Sequence, residues 1–519
     1  MKPTPSPRPL SLQLALVGLL AASCAPEPPS PPLPTRAATL NTTEAELDDA
    51  IALHLISRAE QLLRATDPNE RFDTLVGRAP IDAARDSDNL GALFQLGDEA
   101  FEAERDRLGG VGRGEPPGPG LPAALRRIQT GELGGLDSSS CRACHFVGGP
   151  DGAGAITQVA LLRGDGQHLS SATVRDSPHL MGLGYLSLIA REIEADLDRL
   201  RRNALRDAVE LNQPVTTQLN SKGIDFGPLT ALPDGTLDAS ALTSVSPDLQ
   251  IRPFGHKGRH ADLAALADEA LQLHHGLQSA SRVATYAGRD DAARWLGDGP
   301  PTDPDGDGVV REATQAQAVL LGAYMAMLPV PEIRPPTDPE MALAWSHGFR
   351  LMEQVGCTTC HRAELRFTDY AVTIAATDAT DLAITIDLGA HGQEPVPRRT
   401  DFGADDEGII PRGVPIFPFT DLRRHDLGPE LADPTPEDLP DDADTIPGSV
   451  WLTRPLWGLA DTAPYLHDGR APTVADAIEA HGGEAADARQ TWRDLSDSDR
   501  AALHLFLMSL TRAPTLLVE

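Results

Sequence analysis

Two five-residue segments of this chain carry cysteines and histidine at the spacing that attaches a haem covalently. They read Cys-Arg-Ala-Cys-His at 141–145 and Cys-Thr-Thr-Cys-His at 357–361. In C-x-x-C-H, two thiols add to the two vinyl groups of one porphyrin, and the adjacent histidine reaches the iron as an axial ligand. We therefore expect two covalently bound haem c groups, whose attachment residues are Cys141, Cys144, His145, Cys357, Cys360 and His361.

Redox dithiols, disulfides and zinc half-sites also use the C-x-x-C spacing. The chain has only 5 cysteines in 519 residues, so two chance occurrences that are each followed by histidine are improbable. The two motifs use four of the five. The fifth, Cys24, has a different explanation at the N-terminus, so no structural disulfide is expected.

The N-terminus has the pattern of an export signal. Lys2 and Arg8 precede an apolar run at 10–22, which is followed by Ser23 and Cys24. A basic start, a short apolar core and small residues before the cut are typical of a signal peptide. With cysteine directly after the small residues, 1–24 resembles a bacterial lipoprotein signal. We expect a periplasmic protein anchored by lipid on Cys24, at the outer membrane as first choice or at the cell surface. An ordinary secretory signal is the alternative.

Composition narrows the class of partner. The chain has 76 acidic and 44 basic residues, a net charge of −32. Such a charge repels nucleic acid, so nucleic acid is not an expected partner, and it favours docking of a basic redox protein. The hydrophobic content of 41% is enough for a large buried core.

Proline- and glycine-rich stretches divide the chain into segments. A proline-rich tether at 25–42 follows the signal, and a helical segment is expected at 43–115. The first haem segment is expected at 116–335 and the second at 336–519. We predict a helix at about 90–108 in the segment 43–115, and helices at about 262–275 and 312–328 in the first haem segment. The second haem segment contains an irregular insertion at 364–448 with short strand-like runs.

Several blocks beyond the motifs resemble the diheme oxidoreductase family of the diheme cytochrome c peroxidase superfamily. The longest are Pro-Leu-Trp-Gly-Leu at 455–459 and Thr-Ala-Pro-Tyr-Leu-His-Asp-Gly-Arg at 462–470. Shorter ones lie at 177–184, 254–257 and 419–428. The resemblance covers roughly residues 125–519.

This resemblance implies a mainly α fold. It would contain two cytochrome c-like haem domains, an added N-terminal helical segment and an irregular loop and short-strand insertion in the second domain. It also implies that the C-terminal haem takes electrons from a donor, such as a small cytochrome c or a cupredoxin. The N-terminal haem would then reduce hydrogen peroxide or a related oxidant.

Two other functions stay open, because a fold does not determine a reaction. One is an electron-transfer cytochrome without a catalytic site. The other is an oxidative enzyme that uses dioxygen on the same fold. No tryptophan occurs from 145 to 294, where relatives often bridge the haems with one. The absence of this tryptophan weakens the inference that the chain has the same activity as the peroxidases.

The resemblance also suggests a sixth ligand for the second haem. In the peroxidases this ligand is a methionine fourteen residues beyond the histidine of the 462–470 block. The same count from His467 reaches His481. Imidazole is a good iron ligand, and histidine in place of methionine lowers the haem potential. We expect His481 to complete the second iron.

The sixth ligand of the first haem has several candidates. His274 follows an apolar stripe on the predicted helix at 262–275, and His275 is its neighbour. His179 lies in the block at 177–184. His168 lies where the peroxidases keep a displaceable histidine. We rank His274 and His275 first, and an open or water-bound iron is a further alternative.

An acidic loop between the haem segments has the start of a calcium-binding sequence. Residues 303–309 read Asp-Pro-Asp-Gly-Asp-Gly-Val, and D-x-D-x-D-G opens the loop of an EF-hand. An EF-hand has a bidentate acid at position 12 of the loop, but this chain has Thr314 there. The nearest acid is Glu312, at position 10. An altered calcium site is expected, and a plain acidic turn is the alternative. Its ligands would be Asp303, Asp305, Asp307, Val309 and Glu312.

Overall fold

The structure, a computed structural model, describes most of the chain from residue 89 onward. The described ranges are 89–105, 128–300, 303–306, 312–375, 383–390, 396–397, 412–439 and 444–512. The predicted signal at 1–24 with Cys24, the tether at 25–42 and most of the segment at 43–115 lie outside the described residues. No helix within the described ranges is long and apolar enough to cross a membrane.

Ten α-helices form the frame of the described part of the chain. The helices predicted at 90–108, 262–275 and 312–328 are present, each with slightly different ends. Asn89 caps the first through a 2.9 Å bond to the amide of Ala92, and Thr314 with Gln317 forms a capping box on the sixth. The helices are α1 Leu90–Glu102, α2 Leu183–Leu211, α3 Leu263–His275, α4 Ala280–Tyr286, α5 Ala292–Leu296, α6 Gln315–Met327, α7 Pro339–Val355, α8 Val474–Ala480, α9 Ala486–Arg493 and α10 Asp497–Leu507.

Short strands are more numerous than a mainly α fold implies, so that prediction is correct only in part. They form small sheets of two or three strands. They are β1 Ile128–Thr130, β2 Ala160–Gly164, β3 Thr173–Arg175, β4 Val215–Ser221, β5 Ile224–Ala231, β6 Leu237–Asp238, β7 Glu332–Ile333, β8 Leu365–Phe367, β9 Ala371–Ala375, β10 Ala383–Asp387, β11 Val414–Ile416, β12 Arg424–Asp426, β13 Glu437–Asp438, β14 Thr445–Ile446, β15 Val450–Leu452 and β16 Leu510–Thr511. The runs predicted near 371 and 383 are confirmed as the antiparallel pair β9–β10.

The hairpin β4–β5 was not predicted. Its two-residue turn is Lys222-Gly223, and both residues have positive φ, 51° and 73°. A turn of this kind usually carries Asn-Gly or Asp-Gly, because those residues tolerate the left-handed region. Lysine at the first position removes that signal, and the polar face of β4 hides its alternation.

Each of the two haem motifs packs against a different hydrophobic core. The larger core gathers α1, α2, α3 and α6, and Cys141 packs against it. The smaller core joins α7 to α10, and Cys357 packs against it. Strands β8 to β11, which belong to the second haem segment of the sequence, are buried in the larger core. The insertion of one segment therefore completes the core of the other.

The C-terminal end of the described chain is tied to the loop that follows the first motif. The guanidinium of Arg512 donates hydrogen bonds to the carbonyls of Gly148 and Pro150. The backbone amide of Arg512 donates to Asp461 Oδ2 at 2.9 Å. These bonds hold the first motif's loop against the C-terminal segment.

Candidate haem centres

The first motif folds into a tight turn that holds its histidine in one orientation. Residues Cys141–Ala143 form a single 3-10 turn, and the amide of His145 donates to the carbonyl of Cys141 at 3.2 Å. His145 Nδ1 donates to the carbonyl of Gly152 at 3.2 Å. Burial lowers the pKa of His145 to about 4. The ring is therefore neutral, and its Nε2 lone pair is the one available for a metal.

A cavity of about 200 Å³ adjoins this motif, and Cys141, Cys144 and His145 form part of its wall. Most of the remaining wall is apolar and comes from α3, α6 and the segment before α2. An apolar cavity beside two cysteines and a neutral histidine fits a porphyrin. Apolar residues in this wall include Leu162, Leu180, Leu266, Leu271, Leu321 and Met325.

His275 and His274 both line the cavity, but they differ in burial and in bonding. His275 is 2% exposed, and its Nδ1 donates to the carbonyl of Ser138 at 2.8 Å. Its Nε2 lies 3.7 Å from Cys141 Sγ, and burial holds its pKa well below the usual value. His274 Nδ1 instead lies 2.9 Å from the carboxylate of Asp137. His275 is thus the more deeply buried of the two and has a neutral ring, whereas Nδ1 of His274 is engaged by a carboxylate.

The other two candidates are placed differently. His179 lines the cavity and is bonded to the backbone of Trp457, while its Nδ1 is buried without a hydrogen-bond partner. Burial lowers the pKa of His179 to about 3. His168 lies apart from the cavity wall, with its side chain 72% exposed and its Nδ1 2.7 Å from Asp165. A residue that sequence reasoning passed over, His256, also lines the cavity and donates from Nε2 to the carbonyl of Asp176 at 2.9 Å.

One cation in the cavity wall, Arg454, differs from the others in its lack of a carboxylate partner among the described residues. Arg454 is partly buried, and desolvation lowers its pKa to about 10. It contacts the carbonyl of Gly255 at 3.4 Å, and no carboxylate pairs with it within the described ranges. A partly desolvated guanidinium without a carboxylate partner is suited to bind an anionic group of a ligand. A haem propionate has that charge and planar geometry.

The other cations of the wall are paired with acids from distant parts of the chain. Arg163 lies 2.9 Å from Glu132 and 3.1 Å from Glu437. Arg259 lies 2.9 Å from Glu437. These pairs stabilise one side of the cavity, and the sequence contained no signal for them because their partners are far apart along the chain.

The second motif repeats the geometry of the first. Residues Cys357–Thr359 form a 3-10 turn, and His361 Nδ1 donates to the carbonyl of Phe419 at 3.0 Å. Burial lowers the pKa of His361 to about 4. Its Nε2 is therefore unprotonated, as a metal ligand requires.

His481 faces His361 across the second site. The ring centroids are 6.5 Å apart, and the ring planes are inclined by 55°. His481 Nδ1 donates to the carbonyl of Ala477 at 2.7 Å, at the end of α8. Burial lowers the pKa of His481. Imidazole nitrogens bind metals at about 2 Å, so His361 and His481 could hold one iron between them.

His425, beside the second motif, has a role other than ligation. Its Nε2 lies 2.9 Å from Asp421 Oδ2 and its Nδ1 lies 2.8 Å from Glu484 Oε2. Burial opposes the charged ring, but the bonds to Asp421 and to Cys360 raise the pKa of His425 to about 10. The imidazolium ring is thus engaged at both nitrogens and has none left for iron.

The acidic loop is described only in part, since Asp307 and Val309 lie outside the described residues. Asp303 Oδ1 accepts a bond from the amide of Gly306 at 3.0 Å. Glu312 is 6% exposed and accepts from the amide of Gln278 at 2.7 Å. The described ranges contain no group of three or more His, Cys, Asp or Glu side chains that could hold a metal ion. The calcium site stays a prediction.

Comparison with known proteins identifies the C-terminal part of the chain. Residues 394–510 match the family described as "Di-haem oxidoreductase, putative peroxidase", which confirms the resemblance for the blocks at 419–428 and 455–470. A solved structure described as "Crystal structure of a MauG-like protein associated with microbial copper homeostasis" is similar over 54% of this chain and 77% of that chain, with 17% identity and a TM-score of 0.24. No curated protein matches.

Proposed function

We propose, from the di-haem oxidoreductase segment at 394–510, that the protein is an exported c-type oxidoreductase with two covalent haems and peroxidase-type activity. The C-terminal haem would receive electrons from a donor protein, such as a small cytochrome c or a cupredoxin. The N-terminal haem would pass them to hydrogen peroxide or a related small oxidant.

The common geometry of the two motifs is the observation that supports this most directly. At each one, a buried neutral histidine is oriented by a carbonyl, Gly152 for His145 and Phe419 for His361. Such an orienting bond selects the tautomer whose Nε2 can bind iron. A zinc half-site or a redox dithiol has no need of a fifth-position histidine held in this way.

The residues at the two sites suit the two haems to different roles. A bound haem supplies an iron that can exchange one electron and, at an exchangeable axial position, accept a small oxidant. At the second site, His361 and His481 would occupy both axial positions, so this site is suited to electron transfer. At the first site, His145 is oriented for one position and Arg454 would neutralise a propionate.

A specific observation favours the second candidate function, an electron-transfer cytochrome. His275 is buried in the same cavity as His145, with its Nδ1 bonded to a backbone carbonyl and its Nε2 3.7 Å from Cys141 Sγ. If His275 were a permanent ligand of the first iron, that iron would have no position open to an oxidant either. Peroxidase activity therefore requires His275 to leave or to bind only weakly.

Three further parts of the proposal concern the surroundings of the protein. Export and lipid attachment at Cys24 would place it in the periplasm, at the outer membrane or cell surface. The net charge of −32 suits a basic electron donor. Calcium would bind at Asp303, Asp305, Asp307, Val309 and Glu312 and stabilise the loop.

Stopped-flow spectroscopy of the reduced holoprotein, with haem counted by the pyridine haemochrome assay, tests this function. We expect two covalent haems per chain and fast oxidation of both by hydrogen peroxide, and cyanide should bind the first haem only. One haem per chain would contradict the di-haem assignment. Two haems that bind neither cyanide nor peroxide would establish the electron-transfer function instead.

A further inference from the structure

The hydroxyl of Tyr324, on α6, lies between two carboxylates. It is 2.7 Å from Asp151 Oδ1 and 2.9 Å from Asp98 Oδ1. Tyr324 is 1% exposed and Asp151 is 6% exposed. A phenol has a single proton to donate, so only one of these contacts can be a bond from the phenol at any moment.

This environment differs from that of three other tyrosines. Tyr185 donates to the carbonyl of Leu388 at 3.3 Å, and Tyr370 and Tyr465 donate to the carbonyls of Pro397 and Leu459. A backbone carbonyl accepts a hydrogen bond but does not take up a proton. A carboxylate does both, so Tyr324 has a base within bonding distance.

Tyr324 is also close to the first haem motif. Its ring centroid lies 5.4 Å from that of Phe101, and Phe101 lies 5.8 Å from the ring of His145. Asp151 precedes Gly152, whose carbonyl accepts the bond from His145 Nδ1. Short aromatic contacts thus connect the phenol to the histidine expected to bind the first iron.

We propose that Tyr324 is a redox-active tyrosine that gives an electron to the oxidised first haem site and its phenolic proton to Asp151. In this step the O–H bond of Tyr324 breaks, the proton joins Asp151 Oδ1, and a neutral tyrosyl radical remains. Reduction of hydrogen peroxide to two water molecules takes two electrons and two protons. Tyr324 would supply one of these electrons through the first haem, the second haem would supply the other, and the two protons would come from solvent. This inference rests on the proposed function, because peroxide is the oxidant.

Proton transfer is what makes the oxidation of a buried phenol feasible. Loss of an electron alone would leave a cationic phenol at Tyr324, and a cationic phenol is a far stronger acid than a neutral one. Moving the proton to a carboxylate 2.7 Å away keeps the ring neutral and discharges Asp151. The electron donor protein would later restore the electron, and the proton would return to the phenol.

The geometry favours Asp151 over Asp98 as the acceptor of the phenolic proton. Burial raises the pKa of Asp151, which increases its affinity for a proton. Asp98 is about one-third exposed and pairs with Arg142 at 3.3 Å. The carboxylate of Asp98 is therefore already engaged by a cation, whereas Asp151 is buried and accepts its hydrogen bond from Tyr324.

Electron paramagnetic resonance of the holoprotein, frozen shortly after mixing with hydrogen peroxide, tests this inference. We expect a tyrosyl signal that narrows when the protein carries ring-deuterated tyrosine. Tyr324→Phe should abolish it, and Asp151→Asn should do so too, because an amide accepts the bond but not the proton. Asp98→Asn, at the same hydroxyl, and Tyr185→Phe, a buried tyrosine bonded to a carbonyl, should retain it. Each variant is compared at equal haem content.

The outcomes separate this inference from the proposed function. A haem that reacts with peroxide without a tyrosyl signal, or with a signal that survives Tyr324→Phe, overturns the inference and leaves the function standing. A signal lost in Asp98→Asn and kept in Asp151→Asn overturns the choice of base.

If peroxide leaves the haem spectrum unchanged, the proposed function fails and a second measurement decides the inference. Zinc replaces iron in the two porphyrins, and light with a cobalt(III) pentaammine electron acceptor then oxidises the porphyrin without peroxide. A radical that Tyr324→Phe abolishes supports the inference, and its absence in the wild type overturns it.

Discussion

The imidazole rings of His361 and His481 face each other with their centroids 6.5 Å apart. The two residues lie on different elements, one after the turn that ends α7 and one at the end of α8. Each Nδ1 is bonded to a backbone carbonyl, so each Nε2 is free for a metal. This spacing leaves room for one iron atom between the rings.

His481→Gly should convert the second haem from low spin to high spin and raise its reduction potential, because the iron loses a strong-field imidazole. Added free imidazole should restore the low-spin spectrum by entering the vacated space. The measurement is visible absorption with redox titration. His168→Gly, which removes an exposed histidine, serves as the control, and an unchanged spectrum in His481→Gly would remove this residue from the site.

His275→Gly should alter the first haem in the same manner, and His274→Gly should not. His275 is buried with its Nδ1 bonded to Ser138, whereas His274 is engaged by Asp137. Resonance Raman spectra of the two variants distinguish them. If His274→Gly changes the spin state and His275→Gly does not, the burial argument is wrong.

The free energy of unfolding should fall in alkaline solution as His425 loses its proton. The hydrogen bond and the charge of Asp421 raise the pKa of His425 in the folded protein above about 6.5, its value in an unfolded chain. A raised pKa in the folded state means that the stabilisation is fully present below about pH 6.5 and is lost as pH rises through the raised pKa. When haem is attached, Cys360 is a thioether, and Asp421 remains as the cause of the raised pKa.

His425→Gln should therefore destabilise the holoprotein at pH 6 by about 3 kcal/mol, the usual cost of leaving a buried carboxylate, here Asp421, without its cationic partner. It should also flatten the decline in Tm between pH 7 and pH 10. Thermal unfolding monitored by circular dichroism over this pH range checks both. His347→Gln, at a half-exposed pair with Asp499, is the matched control and should change little. Equal pH slopes in wild type and His425→Gln would contradict the assignment.

Cys24→Ala should abolish membrane attachment while leaving export intact, because the variant lacks the thiol that carries the lipid. Detergent phase partitioning and fractionation of cells measure the two properties separately. A variant that still partitions with detergent would favour the alternative of an ordinary secretory signal with an incidental cysteine.

Calcium removal should lower the Tm of the protein, since closely spaced carboxylates repel one another without a cation. Calcium should restore the Tm more fully than magnesium, which demands a more regular cage. Asp305→Ala should mimic chelation and no longer respond to calcium, whereas Asp234→Ala, in an exposed turn of the first segment, should respond normally. A wild-type Tm that is indifferent to millimolar calcium would make the loop a plain acidic turn.

The haem chemistry could be predicted from the sequence alone because it depends on local spacing. In C-x-x-C-H, a single turn of backbone brings both thiols and the histidine to one haem, so five consecutive residues contain the information. The helix α3 was equally predictable, because an apolar stripe and the cap at Asp262 lie within one segment. The family blocks at 419–428 and 455–470 lie within the matched residues 394–510 for the same reason.

Only the tertiary structure distinguished residues whose sequence signals were alike. His274 and His275 are neighbours on one helix, and their exposure and hydrogen bonds separate them. The contact of Tyr324 with Asp151 and the isolation of Arg454 arise between elements that are distant along the chain. Burial and pairing of charge depend on which surfaces pack together, and no local pattern of residues records that packing.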